Sequence, residues 1–145
     1  MNFEKKVKDA VRILTSGRLF YIEQIIYDKE NFGNIDVVLK SADINIRFIR
    51  DRGDVWCQLG IPDQKKEWFF LEDVLTIIGI QVEPFDNEIF EMMTKLSKII
   101  SDNIDLITQA FNKNNFYATR RKLKEMPKGR ISDIFGIELK DDTKE

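Results

Sequence analysis

Three short segments in the first half of the chain alternate between apolar and polar side chains, which is the period of a half-buried β-strand. They run from Asn34 to Lys40, from Ile44 to Arg50 and from Val55 to Leu59. The connections between them are short, and the second contains Arg52-Gly53, where glycine supplies the positive φ of a tight turn. Connections this short join antiparallel neighbours, so the pattern predicts an antiparallel meander.

Further elements flank this meander on both sides. Leu19 to Tyr27 is rich in β-branched and aromatic residues and predicts one more strand, and Phe3 to Thr15 predicts a short helix before it. The rest of the chain is predicted to be a helical half over 68–139, followed by a flexible tail at 140–145. The sequence therefore predicts a single α+β domain over 1–145: an N-terminal helix, a four-stranded antiparallel meander, and C-terminal helices packed on one face of the sheet.

Three helices are predicted in the helical half. The first covers 68–78, although Trp68-Phe69-Phe70 is also compatible with a fifth edge strand. The second has apolar residues at steps of three and four from Ile89 to Phe111, which predicts one continuous helix of about seven turns with Asp86 as its N-cap. The third covers 116–125, and a mildly apolar segment at 131–139 is expected to dock as a tail.

The composition excludes several classes of catalytic site. The chain has 145 residues, no histidine and a single cysteine, Cys57. Ser-His-Asp and Cys-His arrangements are therefore impossible, as are zinc sites built on histidine or on several cysteines. The 23 Lys and Arg against 25 Asp and Glu give a net charge of −2, which argues against a generally basic nucleic-acid-binding protein. We expect neither an enzyme nor a bound cofactor or metal.

The densest group of charges lies on the predicted sheet and its tightest turn. Together with Trp56, it supplies the candidate binding residues Asp36, Asp43, Arg47, Asp51, Arg52 and Asp54. A catalytic interpretation takes two of these carboxylates as an acid–base pair or as a metal site, and it requires a deep pocket that joins Asp36, Asp51 and Arg47. We favour a structural interpretation, in which the group forms cross-strand ion pairs on the wet face and tip of a hairpin.

Alternation assigns two distinctive strand residues to opposite faces of the sheet. Cys57 shares the apolar face with Val55 and Leu59, so we expect a buried and unreactive thiol. Trp56 points to the other face, where it is either an exposed anchor for a partner or covered by a helix or by the segment at Trp68. We expect the covered arrangement.

A basic patch lies on the last predicted helix and just beyond it. It comprises Arg120, Arg121, Lys122, Lys124 and Arg130, with Phe116 and Tyr117 beside it. Basic residues next to aromatic ones are typical of grooves that bind single-stranded nucleic acid, and they are equally typical of a solvated helix face. Nucleic-acid binding through this patch is therefore the alternative function.

The remaining features concern location and assembly. Residues 1–9 lack the continuous apolar stretch of a signal peptide, and no run approaches the ~18 apolar residues of a membrane span. A single cysteine fits a reducing compartment. We expect a cytoplasmic protein with no membrane association, either a monomer or, if the stripe from Ile89 to Phe111 is wider than the sheet can cover, a homodimer.

The segment from Phe32 to Ile78 resembles small bacterial immunity-type proteins encoded in polymorphic-toxin and contact-dependent inhibition loci. The residues that carry the resemblance are the Phe32-Gly33 opening, the strand Ile46-Arg47-Phe48, the turn Arg50-Asp51-Arg52-Gly53 and Trp68-Phe69 before an apolar helix. The resemblance implies a non-catalytic protein that binds a cognate toxin tightly and needs no cofactor. Nuclease toxins are basic at their active sites, so acidic groups are the implied contacts: Asp36, Asp43, Asp51, Asp54, Glu72 and Asp73.

Overall fold

The computed structural model describes residues 2–17, 19–62, 67–82 and 88–126. Five strands in these ranges form one sheet: β1 (Tyr21–Asp28), β2 (Asn34–Lys40), β3 (Asn45–Asp51), β4 (Asp54–Gly60) and β5 (Phe69–Phe70). The same residues contain six helices: α1 (Phe3–Ala10), α2 (Arg12–Thr15), α3 (Leu71–Ile77), α4 (Ile89–Asp102), α5 (Ile104–Phe111) and α6 (Phe116–Lys124). The predicted α+β class and the predicted order of elements are both confirmed.

The sheet is an antiparallel meander in which each strand pairs with the next one along the chain. The predicted count of four strands is one too few, because Phe69 and Phe70 pair with Leu59 and Gln58 as a fifth strand. A two-residue strand is too short to produce an alternating pattern. Its residues therefore fitted both the start of α3 and the fifth edge strand that the sequence also allowed, and the structure has the strand.

The pairing register divides the strand residues between two faces. Val37, opposite Phe48, and Phe48, opposite Cys57, share the face that is buried against the helices. We call this the helix face and the opposite one the open face. The strand residues adjacent in sequence to these, such as Val38, Arg47 and Gln58, lie on the open face.

Two turns hold this register. Arg52 and Gly53 have φ values of 54° and 92°, the two positive values that a type I′ hairpin turn requires between β3 and β4. In the turn between β2 and β3, the Ser41 Oγ accepts hydrogen bonds from the backbone N–H groups of Asp43 and Ile44 at 3.3 and 3.1 Å. The short connections that the sequence predicts after Lys40 and after Arg50 are therefore both tight turns.

The helices pack over the helix face. α1 and α2 contact β1 and α4, while α3 contacts β4, β5 and α6. Fully buried side chains come from both layers of this core: Val7, Val11, Val37, Leu39, Ile46, Phe48, Leu59, Val74, Met93, Ile100 and Ile107. The predicted packing of helices against the apolar side of the sheet is therefore observed.

Two predicted helices are each divided by one non-helical residue. The first is interrupted at Val11, with φ −103° and ψ 12°. The helix expected to run unbroken from Ile89 to Phe111 is interrupted at Asn103, whose Nδ2 donates to the Ile99 carbonyl at 2.8 Å. An asparagine side chain that bonds to the backbone competes with the helical pattern. The apolar stripe continues across the break, which is why the sequence pattern alone does not reveal it.

Several predictions fall on residues outside the described part of the chain. These are the N-cap at Asp86, the docked tail at 131–139 and the end at 140–145. In the structure, Glu88 caps α4, and its Oε1 accepts a hydrogen bond from the Glu91 backbone N–H at 2.7 Å. Within the described residues, no helix has the length and apolarity needed to cross a membrane.

The type I′ turn can be tested with a pair of glycine substitutions. We expect Gly53→Ala to lower the free energy of unfolding by about 1 kcal/mol or more, because alanine is strained at φ 92°. Gly17→Ala is the control, since Gly17 lacks a left-handed φ and a Cβ there meets no atom within 4 Å. Chemical denaturation measures both variants, and equal effects would contradict the role assigned to Gly53.

Candidate functional site

The centre of the open face is an ion pair between adjacent strands. Val38 of β2 lies opposite Arg47 of β3, so Asp36, two residues from Val38, is the diagonal neighbour of Arg47 on the same face. The Arg47 Nε and terminal nitrogen donate to the two oxygens of Asp36 at 3.0 and 2.7 Å. Both side chains are half-buried. A bidentate pair of this kind fixes the orientation of the guanidinium group.

A tryptophan packs on this ion pair. The Arg47 guanidinium carbon lies 5.7 Å from the centre of the Trp68 ring, which is a cation–π contact. Gly60 makes room for that ring, because a Cβ at Gly60 would lie 3.2 Å from a Trp68 ring carbon. The same Cβ would also lie 3.0 Å from the Glu67 carbonyl oxygen, so a larger residue at position 60 would require Trp68 and the backbone before it to shift.

The open face forms a groove of about 480 Å³ around these residues. We call it the open-face groove. Its lining includes Ile26, Asp28, Asn34, Asp36, Arg47, Ile49, Asp51, Trp56, Gln58 and Trp68. Trp56 is half-buried there, on the face that the alternation predicted and in the same concavity as Trp68.

The groove joins the three residues on which a catalytic interpretation depends, Asp36, Asp51 and Arg47. Both Asp36 oxygens already accept hydrogen bonds from Arg47, so this carboxylate is poorly placed to take a proton from a substrate. Within the described residues, no cluster of three or more Cys, Asp or Glu side chains is arranged to hold a metal ion. What the groove offers is a set of hydrogen-bonding and stacking groups.

One groove residue has an unused acceptor. The side-chain oxygen of Gln58 is buried and accepts no hydrogen bond from the described residues. Leaving a buried acceptor unpaired costs about 1–3 kcal/mol. The oxygen has almost no accessible surface, so a donor from a bound molecule would remove this cost once the Gln58 amide turns toward the groove.

The hairpin tip brings two turns together at one end of the sheet. The Arg52 backbone N–H donates to Asn34 Oδ1 at 2.9 Å, and its guanidinium lies 5.7 Å from the centre of the Phe32 ring. Arg50 donates twice to the Gly33 carbonyl, at 3.1 and 2.8 Å. Phe32 is 70% exposed with a φ of 64°. These contacts fix the arginines and present an aromatic ring to solvent.

The structure brings together only part of the charge group that the sequence analysis proposed. Asp51 and Asp54 face each other across the tip, beside Arg52. Asp43 does not join them, because it lies in the turn between β2 and β3, and the full length of β3 separates it from the tip. Asp73 is buried on α3 and is not an exposed contact, whereas Glu72 is exposed.

The basic patch on α6 is partly neutralised by an acidic residue from the segment before β5. Arg120 Nε donates to both oxygens of Glu67, at 2.8 and 2.9 Å, and Lys124 Nζ lies 3.5 Å from one of them. Arg121 and Lys122 are exposed, and Arg130 lies outside the described residues. Two of the four described cations of the patch are therefore held in an internal ion-pair network, which weakens the case for nucleic-acid binding.

This network changes the pKa of Glu67. Burial acts to raise the pKa of Glu67, but the hydrogen bond from Arg120 and the charges of Arg120 and Lys124 outweigh it and lower the pKa. Cys57, by contrast, is buried on the helix face, and burial together with the charge of Glu72 raises the pKa of its thiol. The prediction of a buried thiol is confirmed.

Eight lining residues of the groove were missed as candidates from the sequence. They are Ile26, Asp28, Asn34, Ile35, Ile49, Arg50, Gln58 and Trp68. Gln58 follows Trp56 by two residues, so the alternation of β4 places both on the same face and could have identified Gln58. The face of Ile26 and Asp28 was hidden by a bulge between Ile22 and Gln24, which shifts the alternation of β1 by one residue.

Comparison of the chain with protein-family models, with curated proteins and with solved structures gives no match.

The pKa of Glu67 predicts a pH-dependent effect of Glu67→Gln. Because the folded-state pKa lies below the ordinary value of 4.5, the ionised carboxylate stabilises the fold at neutral pH. That stabilisation is lost as the pH falls through the folded-state pKa. We expect the variant to be less stable than the natural protein at pH 7, and the difference to shrink below about pH 4.5. Denaturation across pH measures it.

The control for this experiment is Glu72→Gln on the exposed first turn of α3, for which we expect a smaller difference at pH 7. A Glu67→Gln difference that stays constant from pH 7 to pH 3 would contradict the network.

Proposed function

We propose that this protein binds another protein through the open-face groove, and that it acts as an immunity-type protein that neutralises a cognate bacterial toxin. The observation that carries the binding role is the Asp36–Arg47 pair stacked on Trp68, with Trp56 in the same groove. The toxin as partner rests on the sequence resemblance of residues 32–78. These residues extend from the start of β2 to the end of α3 and include most of the groove.

The residue types in the groove support protein recognition. Tryptophan and arginine are the side chains most enriched at the energetic centres of protein interfaces. Arg47 is held by Asp36 on one side and by Trp68 on another, so its side chain would lose little further conformational entropy on binding. A preorganised arginine that contacts Trp68 and shares its groove with Trp56 is suited to the centre of an interface.

The chemistry of the partner follows from the acceptors in the groove. Asp28 and Asp51 line the groove with carboxylates, and Gln58 adds an acceptor oxygen once its amide turns toward the groove. These groups favour a partner that presents hydrogen-bond donors, such as lysine, arginine or free backbone N–H groups. A toxin with a basic active site has this chemistry.

The proposal is tested with the C-terminal domain of the protein encoded immediately upstream of this gene. Calorimetry measures the dissociation constant, and growth rescue on co-expression measures neutralisation. We expect a complex with the natural protein, and about 30-fold weaker binding by Trp56→Ala, since truncating an aromatic residue at an interface centre costs about 2 kcal/mol or more.

The matched control is Arg121→Ala on α6, an exposed change outside the groove, for which we expect unchanged affinity. Circular dichroism establishes that both variants are folded. Absence of a complex with the natural protein would contradict the toxin partner. A complex weakened by Arg121→Ala but not by Trp56→Ala would contradict the open-face groove as the binding site.

Gln58→Met separates stability from binding. Replacing the unpaired buried oxygen by an apolar side chain of similar length should leave the free protein equally stable or stabilise it by about 1 kcal/mol. The same change removes an acceptor for the partner, so we expect binding to weaken by about tenfold. Unchanged affinity would show that the Gln58 oxygen is not used in the complex.

A further inference from the structure

The strand at one edge of the sheet has the properties of an interface. Among the described strands, β1 pairs with β2 on one side only, because the sheet order begins with β1. Three large side chains on this strand are exposed: Tyr21, Ile26 and Tyr27. A long edge strand with exposed apolar residues is a template for pairing with another strand.

The hydrogen-bond alternation shows which backbone groups are directed outward. The Ser41 N–H donates to the Ile44 carbonyl at 3.1 Å, so Ser41 and Ile44 form a hydrogen-bonded pair at the turn. Such pairs recur at every second residue of two antiparallel strands. The backbone groups of Leu39 and Val37 therefore bond to β3, and those of Val38 and Asp36 bond to β1. Their partners Gln24 and Ile26 bond inward to β2. The N–H and C=O groups of Ile25 and Tyr27 therefore point away from the sheet.

Space for a neighbouring strand lies beside this edge. A second groove of about 650 Å³ runs between α1 and β1, and Phe3, Ile22, Ile25 and Tyr27 contribute to its lining. The charges at this groove are matched within the molecule, since Glu4 pairs with Lys8 at 3.2 Å and Glu23 pairs with Lys40 at 2.6 Å. The edge therefore fits a strand with apolar side chains at the positions that enter the groove.

We propose that the occupant is a second copy of this chain, paired antiparallel through β1 about a two-fold axis at Ile26. This register places Ile25 opposite Tyr27 of the partner and Tyr27 opposite Ile25 of the partner, so the outward N–H and C=O groups bond to each other. Ile26 meets Ile26 of the partner on the open face. Gln24 lies opposite Asp28 of the partner, and no like charges are opposed.

The neighbouring registers are less favourable. An axis at Ile25 brings the bulged residue Glu23 into the new ladder, opposite Tyr27 of the partner. An axis at Tyr27 places the carboxylate of Asp28 opposite Ile26 of the partner and extends the ladder past the end of β1. The axis at Ile26 is the one that uses the regular part of the strand and matches apolar side chains with each other.

The dimer would also connect two binding sites. Ile26 and Asp28 belong to β1 and line the open-face groove as well. Pairing through β1 therefore joins two five-stranded sheets into one continuous sheet, with the two open-face grooves adjacent on the same side. This inference does not rest on the proposed function, because it concerns the protein alone.

Sedimentation equilibrium over a range of protein concentrations tests the dimer. We expect a dimer for the natural protein and a dissociation constant at least about tenfold higher for Ile26→Lys, which places two like charges opposite each other at the axis. Tyr27→Pro removes one outward N–H and leaves the bonds to β2 intact, so it should have the same effect.

The control is Leu106→Lys, which introduces the same charge at an exposed apolar residue of α5 and should leave the dimer unchanged. Circular dichroism confirms folding, and Ile26→Lys provides the test if Tyr27→Pro does not fold. A natural protein that stays monomeric at the highest concentration that remains in solution would overturn the proposal. A dimer that Ile26→Lys leaves intact, or that Leu106→Lys dissociates, would also overturn it.

Discussion

The pairing register of the meander is the constraint on which both the helix face and the open face of the sheet depend. Side chains alternate along a strand, so a shift of one residue would exchange the helix face with the open face in a whole strand. It would expose Phe48 and bury the charge of Arg47. The Arg52-Gly53 turn and the Ser41 hydrogen bonds hold β2, β3 and β4 in the one register that avoids this.

The same register assembles the open-face groove from residues that are distant in sequence. Asp36 and Arg47 meet because their strands are neighbours, and Trp68 reaches them because β5 returns beside β4 at Gly60. The helices contribute from the other side by burying the helix face. This division leaves one face of the sheet with its polar and aromatic groups available, while the stability of the domain comes from the other.

The sequence was most informative where two signals agreed. For β2, β3 and β4, the alternation and the short turns both pointed to antiparallel strands, and the observed bounds differ by a single residue at most. The same alternation correctly placed Cys57 on the buried face and Trp56 on the opposite one. A two-residue strand such as β5 and a single-residue break such as Asn103 are too short for any periodic pattern to reveal.

The groove was less predictable, since its parts meet only after the sheet has formed. Trp68 and Arg47 are joined by the pairing of β4 with β5, and no local pattern indicates that contact. Glu67 and Arg120 are 53 residues apart, so the neutralisation of the basic patch was likewise invisible in the sequence. Asp43 was wrongly grouped with the hairpin tip, although its turn and the Arg52-Gly53 turn lie at opposite ends of β3.

The central claim is that the open-face groove is the surface on which a protein partner binds. The chain has two tryptophans, and both line this groove, so their indole signals in a nitrogen-edited NMR spectrum report on it directly. On titration with the candidate toxin domain, we expect both indole signals to shift, while the backbone signals of exposed residues on α6 stay unchanged. Shifts confined to α6, with both indole signals unmoved in a saturated complex, would contradict the account.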